Sequence, residues 1–288
     1  MLDAKTYSNT DLINLAKENF VNLKINAESE NGQKLFDEFK GTGYPLIVFL
    51  DSNGNELDRF YGYKPSYEFS IKMKNILDGK NTFTYFLTEF EKGNHSSEIL
   101  KPLADKYREK GEDDIALSLY LQLLNEGNIA KDDFVESKYY IATLSLKQNN
   151  IKLINDFLID FQDTDLFENA VYELIYHYQK NKQIDEELST YQKYLINLYN
   201  SPQFLNSYAW RMTELNQNLD DALDKVNLSL SLLNQDDQAY PMVLDTKAEV
   251  LWKLEKTNEA IQIINQALLI DSENQYYKAQ KEKFENSK

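Results

Sequence analysis

The stretch Leu244–Asn274, LDTKAEVLWKLEKTNEAIQIINQALLIDSEN, decides the fold of most of this chain. Ala248 and Ala260 stand twelve residues apart, and Ala248, Leu251, Ala260, Ile264 and Ala267 run small, large, small, large, small. Small residues at those points let two antiparallel helices approach closely, while the larger ones fill the seam to the next pair. Upstream, Ser97–Leu124, SEILKPLADKYREKGEDDIALSLYLQLL, places Leu100, Leu103, Ala104, Tyr107, Ala116 and Tyr120 equivalently.

This pattern closely resembles the tetratricopeptide repeat, a helical hairpin whose period in that family is about 34 residues. Weaker copies lie between the two good ones. Leu205–Leu233 carries Ala209, Ala222, Val226 and Ser229 with one extra residue in its turn. Tyr139–Phe161 keeps Ala142 but has Ile154 and Phe161 where small residues are expected, and Ala170–Tyr199 keeps only a two-helix pattern. Anchors at Ala104, Ala142, about 175, Ala209 and Ala248 recur at roughly 33 to 39 residues, which predicts five hairpins over 96–288. Gln275 to Phe284 reads as a capping helix, and Phe83 to Glu91, within 80–95, as a helix bridging to the preceding part.

Residues 1–79 have a different character. Ser8-Asn9-Thr10 opens a short amphipathic helix carrying Leu12, Ile13, Leu15 and Ala16. In Phe20–Asn26, Val21, Leu23 and Ile25 alternate with Asn22 and Lys24, the pattern of a half-buried strand. A second short helix carries Leu35, Phe36 and Phe39. The apolar run Leu46-Ile47-Val48-Phe49-Leu50, the turn Asp51-Ser52-Asn53-Gly54-Asn55 and Glu56–Tyr61 predict a hairpin whose first strand is fully buried. Ser66 to Leu77 reads as a closing helix.

The runs FVNLKINAE and GYPLIVFLDSNGNELDRFYGY resemble the thioredoxin-like domains of bacterial thiol-disulfide proteins. The resemblance implies an α/β thioredoxin-like domain over 1–79 that lacks its first strand, a cis bond before Pro45, and a substrate groove shaped by Tyr44 and Pro45. In that family a central strand and a Cys-x-x-Cys precede the matched residues. The chain as given starts after them, so the expectation is a sheet that closes up differently, or a start displaced from the natural one.

The 288 residues suffice for about two domains. With 47 acidic and 31 basic side chains and a net charge of -16, an electrostatic grip on nucleic acid or an anionic membrane is not expected. There is no Cys, which removes disulfides, thiol nucleophiles and Cys-ligated metals. No signal peptide or membrane-spanning run is legible. The expected compartment is therefore the cytoplasm, or the periplasm or exterior if the start is displaced.

Candidate chemistry is sparse. His95 sits in a polar loop and His177 on a helix face, neither in metal-ligand spacing. Asp51–Asn55 has the composition of a calcium loop, but Gly54 is fourth where the EF-hand needs Gly at the sixth position. No phosphate-binding Gly-rich motif or nucleophile elbow occurs. No catalytic residue, metal or cofactor is expected.

The repeat resemblance places Met242, Asp245, Glu249 and Trp252 on a concave groove, and their spacing puts them on one helix face. A Trp packed between hairpins would satisfy the same spacing. The expected function is a non-catalytic one: binding of a protein or peptide, preferably basic or neutral, by a repeat array joined to a redox-inactive thioredoxin-like domain. The rival reading is a fragment of a thiol-disulfide oxidoreductase or isomerase whose Cys-x-x-Cys lies upstream of Met1. The sequence leaves the oligomeric state open.

Overall fold

The structure, a computed structural model, describes residues 2–287. Internal contacts divide the chain into two compact units, Met1–Ala170 and Val171–Lys288.

In the first unit a π-helical turn, Leu2–Thr6, leads into α1 (Thr10–Asn19), capped where the Asn9 side chain accepts from Leu12 N–H. After residues 20–26 comes α2 (Glu30–Glu38), capped by Ser29. β1 (Leu46–Leu50) and β2 (Glu56–Tyr61) then pair antiparallel, with Ile47 opposite Phe60 and a bulge between Phe49 and Leu50. The turn between them closes on Asp51, whose carboxylate accepts from the backbone N–H of Asn53 and Asn55 at 2.8 and 2.9 Å. Gly54 takes the left-handed φ of 84° that this turn requires. The side-chain and backbone hydrogen bonds from Asn55 hold the Asp51 carboxyl below its ordinary range, so this acid serves the turn. α3 (Ser66–Asp78) packs on α1, and Leu12, Phe49, Phe60, Phe69 and Met73 form a small core between helices and hairpin.

Two expectations are corrected here. Phe20–Asn26 belongs to no sheet, because alternation forms a strand only where a neighbour supplies hydrogen bonds. β1 is half-buried rather than fully buried: Phe49 alone is buried and Leu50 is exposed. Among the described residues β1 has one strand neighbour, so nothing in the sheet covers its other edge. Of the sheet implied by the thioredoxin resemblance, the described residues form the one pair β1–β2. The Tyr44-Pro45 bond is cis, as the resemblance implies.

α4 (Phe83–Glu91) follows, over the residues its periodicity predicts. α5 (Ser97–Glu109) and α6 (Asp113–Asn125) form a helical hairpin, and α7 (Lys131–Lys147) and α8 (Lys152–Asp160) the next. Phe83 and Phe86 of α4 enter the core of the first hairpin with Leu100, Leu103, Ala104, Ala116 and Tyr120. The β hairpin is tied to α5 through a buried ion pair, Lys106 Nζ to Asp58 Oδ1 at 2.6 Å. Lys106 also donates to the Arg59 carbonyl at 3.1 Å.

α9 (Phe167–Lys180) spans the division between the units, and α10 (Ile184–Tyr194) follows it. In the second unit α11 (Pro202–Leu215) pairs with α12 (Leu219–Ser231), and α13 (Tyr240–Lys253) with α14 (Thr257–Ile270). α15 (Gln275–Glu285) packs on α14 and touches α13. The small residues sit where the helices meet: Ala209, Ala222, Ala248, Ala260 and Ala267 are fully buried. The extra residue in the α11–α12 turn is absorbed by Asn216 and Asn218, both left-handed with φ 52° and 50°. The larger part of the chain is thus helical, built largely from antiparallel helical hairpins. No helix among the described residues is long and apolar enough to cross a membrane.

Candidate functional site

α13 carries the four residues that the sequence places on a groove, and the structure distributes them unevenly. Leu244, Ala248 and Leu251 turn to α14 and α15, where they pack with Ala260, Ile264, Tyr277 and Phe284. Met242 is exposed and Trp252 half-buried, whereas Asp245 and Glu249 are buried.

What covers the two acids is α15. Gln280 Nε2 donates to Asp245 Oδ1 at 3.3 Å and to Glu249 Oε2 at 3.2 Å. Lys283 Nζ reaches Glu249 Oε2 at 2.5 Å and lies over the Trp252 ring, 4.3 Å from its centroid. Trp252 Nε1 donates to Ser287 Oγ at 2.7 Å, and its ring lies 5.8 Å from that of Phe284. Burial is the largest influence on Asp245 and raises its pKa to about 6; the Gln280 hydrogen bond opposes this, and the neighbouring Glu249 charge adds to it. Chemically, this is a lysine already recognised by a carboxylate on one side and an indole face on the other.

α9, α10 and α11 bring up Asn206, Arg211, Glu187 and Gln179, which the sequence reading missed, and Trp210, which it reads as a packing residue. Asn206 precedes Ala209 by the interval at which Asp245 precedes Ala248, and Asn206 is buried as Asp245 is. Trp210 donates through Nε1 to Glu214 Oε1 at 3.1 Å. Arg211 grips the fully buried Glu187 of α10 with two hydrogen bonds, Nε to Oε1 at 2.7 Å and Nη2 to Oε2 at 3.0 Å. Gln179 of α9 donates to the same carboxylate at 2.7 Å. The equal offset from the alanine anchors was the available signal for Asn206. Gln280 and Lys283 gave none, since their polar pattern equally suits a solvated helix face.

Elsewhere, Tyr44 is exposed and stacks on Phe36 at 4.6 Å, while the Pro45 carbonyl accepts from Gly62 N–H at 2.9 Å. His95 stacks on Phe90 at 4.7 Å, with Gln122 Nε2 at 3.1 Å from its Nδ1. His177 hydrogen-bonds Asn181, and partial burial lowers its pKa. Among the described residues no three His, Cys, Asp or Glu side chains are grouped to hold a metal ion.

The sequence matches no protein-family model and no curated protein. Among solved structures it is similar to YrrB, described as a TPR protein with an unusual peptide-binding site: 14% identity over 68% of this chain and 97% of that one, TM-score 0.47. A putative kinesin light chain from Podosopora anserina with nearly identical TPR-like repeats shares 14% identity over 61% of this chain and 95% of that one, TM-score 0.45. The MamA protein shares 16% over 60% and 90%, TM-score 0.41. These likenesses are partial, and the fold statement rests on the chain's own hairpins.

Proposed function

We propose that this chain is a protein-interaction module whose helical hairpins bind a protein or peptide segment bearing Lys or Arg, with Met242, Asp245, Glu249 and Trp252 as the recognising face. The observation that carries the reading is the way Lys283 is held. Its ammonium sits against Glu249 and the Trp252 face, so the chemistry for a basic side chain is present, and Met242 is exposed about two turns N-terminal to Glu249 on the same helix. The acidic excess of the chain favours the same class of partner through long-range attraction.

The test is titration of the full chain with extended Lys-rich and Glu-rich peptides of equal length, read by tryptophan fluorescence. Binding of the Lys-rich peptide alone is expected. Met242→Ser should weaken it while leaving the unfolding curve unchanged, because Met242 is exposed. Equal affinity for both peptides, or no effect of Met242→Ser, refutes the assignment.

The α/β segment is read as a thioredoxin-like domain without redox chemistry. The order of α1, residues 20–26, α2, the hairpin and α3 supports this, and thiolate attack needs a sulfur that the chain does not have. Insulin reduction with dithiothreitol should proceed no faster than the protein-free control, and turnover above that control refutes the redox-inactive reading.

A further inference from the structure

Phe20–Asn26 leaves apolar side chains in water in a regular pattern. Val21 is 92% exposed, Leu23 80% and Ile25 50%, alternating with the exposed Asn22 and Lys24 along a segment in neither helix nor sheet. Among the described residues, the N–H and C=O groups of Val21 to Ile25 have no main-chain partner. The polar side chains of the same segment are tied back to their own chain. Asn22 Nδ2 donates to the carbonyls of Ala16 and Phe20, each at 3.2 Å, and Lys24 pairs with Asp3 at 2.7 Å. The segment thus offers unpaired main-chain groups and alternating apolar side chains, with both its sides exposed, the arrangement that recruits another strand.

We propose that this edge pairs with the same segment of a second copy of the chain, antiparallel about a two-fold axis through Leu23. The argument is self-complementarity. Reversed about Leu23, the segment sets Val21 opposite Ile25 of the second copy, Leu23 opposite Leu23, and Asn22 opposite Lys24. Three apolar cross-strand pairs then share one face and no like charges meet. Centring the pairing on Lys24 sets two lysines directly opposite each other, and centring it on Asn22 separates Val21 from Ile25. A one-residue slip places apolar side chains opposite polar ones. The Leu23 register alone satisfies every pair, and the two-fold makes the contact closed, giving a dimer rather than a filament.

The absence of Cys makes the geometry directly testable. In the proposed register the two Leu23 Cβ atoms lie about 4.5–5.5 Å apart, close enough for a disulfide with small adjustment. Leu269→Cys, at a site 85% exposed in the other unit, reports random collision. Leu23→Cys should oxidise to a covalent dimer at least about tenfold faster than Leu269→Cys. By sedimentation the unmodified chain should dimerise with rising concentration. Leu23→Lys should remain monomeric with an unchanged melting curve, since Leu23 is mostly exposed. The proposal is overturned if the unmodified chain stays monomeric, in which case the edge serves a strand from a different protein. It is overturned equally if the two cysteine variants cross-link at the same rate, or if Leu23→Lys leaves the dimer intact.

Discussion

Replacing Asp245 with Asn should stabilise the second unit at neutral pH, by an amount that grows with pH in a defined window. Asp245 is 4% exposed, and burial raises its pKa from an ordinary 3.8 to about 6. Between about pH 4 and pH 6 the folded chain therefore holds a proton that the unfolded chain has released. Stability falls as pH rises through that window and levels off above it. A rise of about two units, at about 1.4 kcal/mol each, amounts to roughly 3 kcal/mol. Asn keeps an oxygen to accept the Gln280 hydrogen bond, has nearly the same shape and cannot ionise. The variant should match the parent near pH 4 and exceed it by roughly 3 kcal/mol at pH 7. Urea unfolding followed by tryptophan fluorescence measures this locally, because both tryptophans, Trp210 and Trp252, lie in the unit that contains Asp245. A difference constant from pH 4 to pH 7 would refute the argument. So would a variant weaker than the parent at pH 7, which would mean that the Asp245 anion is held by Lys283 and stabilises the fold.

Three further outcomes are expected. Arg211→Met strands the fully buried Glu187 carboxylate and should cost the second unit about 3–5 kcal/mol in urea unfolding, whereas Arg211→Met with Glu187→Leu should recover most of the loss. Lys106→Met strands buried Asp58 and should cost the first unit a comparable 3–5 kcal/mol or so, read by segment-resolved hydrogen exchange in β2 and α5. At dilutions where the chain is monomeric, the amides of Val21 to Ile25 should exchange near the unfolded-chain rate, while those of Ala248 and Ile264 remain protected, since the former have no main-chain partner and the latter lie inside packed helices.

The helical part was legible because its signal is local. Ala248, Ala260 and Ala267 repeat at intervals that only a close helix crossing demands, and each is fully buried. In the hairpin of α7 and α8, Ile154 occupies a small-residue position yet is fully buried, so a larger side chain is accommodated there. Phe20–Asn26 and β1 were misread for a common reason. Alternating and continuous apolar runs describe what a strand offers, whereas burial depends on what lies beside it, and the sheet supplies β1 with one neighbour and Phe20–Asn26 with none. On α13 the sequence located the face but not its cover, since Gln280 and Lys283 of α15 arrive through packing that no spacing within α13 specifies.

The buried charges share a rule that an apolar repeat array requires. Seams built from Ala and Leu are close-packed but non-directional, and helices meeting through them could shift by a turn at modest cost. Here polar links cross the joints. Tyr120 of α6 donates to Asp105 of α5 at 2.5 Å, and Tyr208 of α11 to Asp221 of α12 at 2.6 Å, one link within each hairpin. Glu187 with Arg211 joins α10 to α11, and Glu249 with Lys283 joins α13 to α15. A shift by one turn would leave the buried Glu187 and Glu249 carboxylates without their donors, at a cost of several kcal/mol per site, so these two pairs fix register even where they add little net stability, while the half-exposed Asp105 and Asp221 add direction at lower cost. The acids of the α13 face therefore have a structural use before any ligand arrives. A basic ligand must either displace Lys283 or share Glu249 with it, which makes the strength of the α13–α15 contact a determinant of affinity.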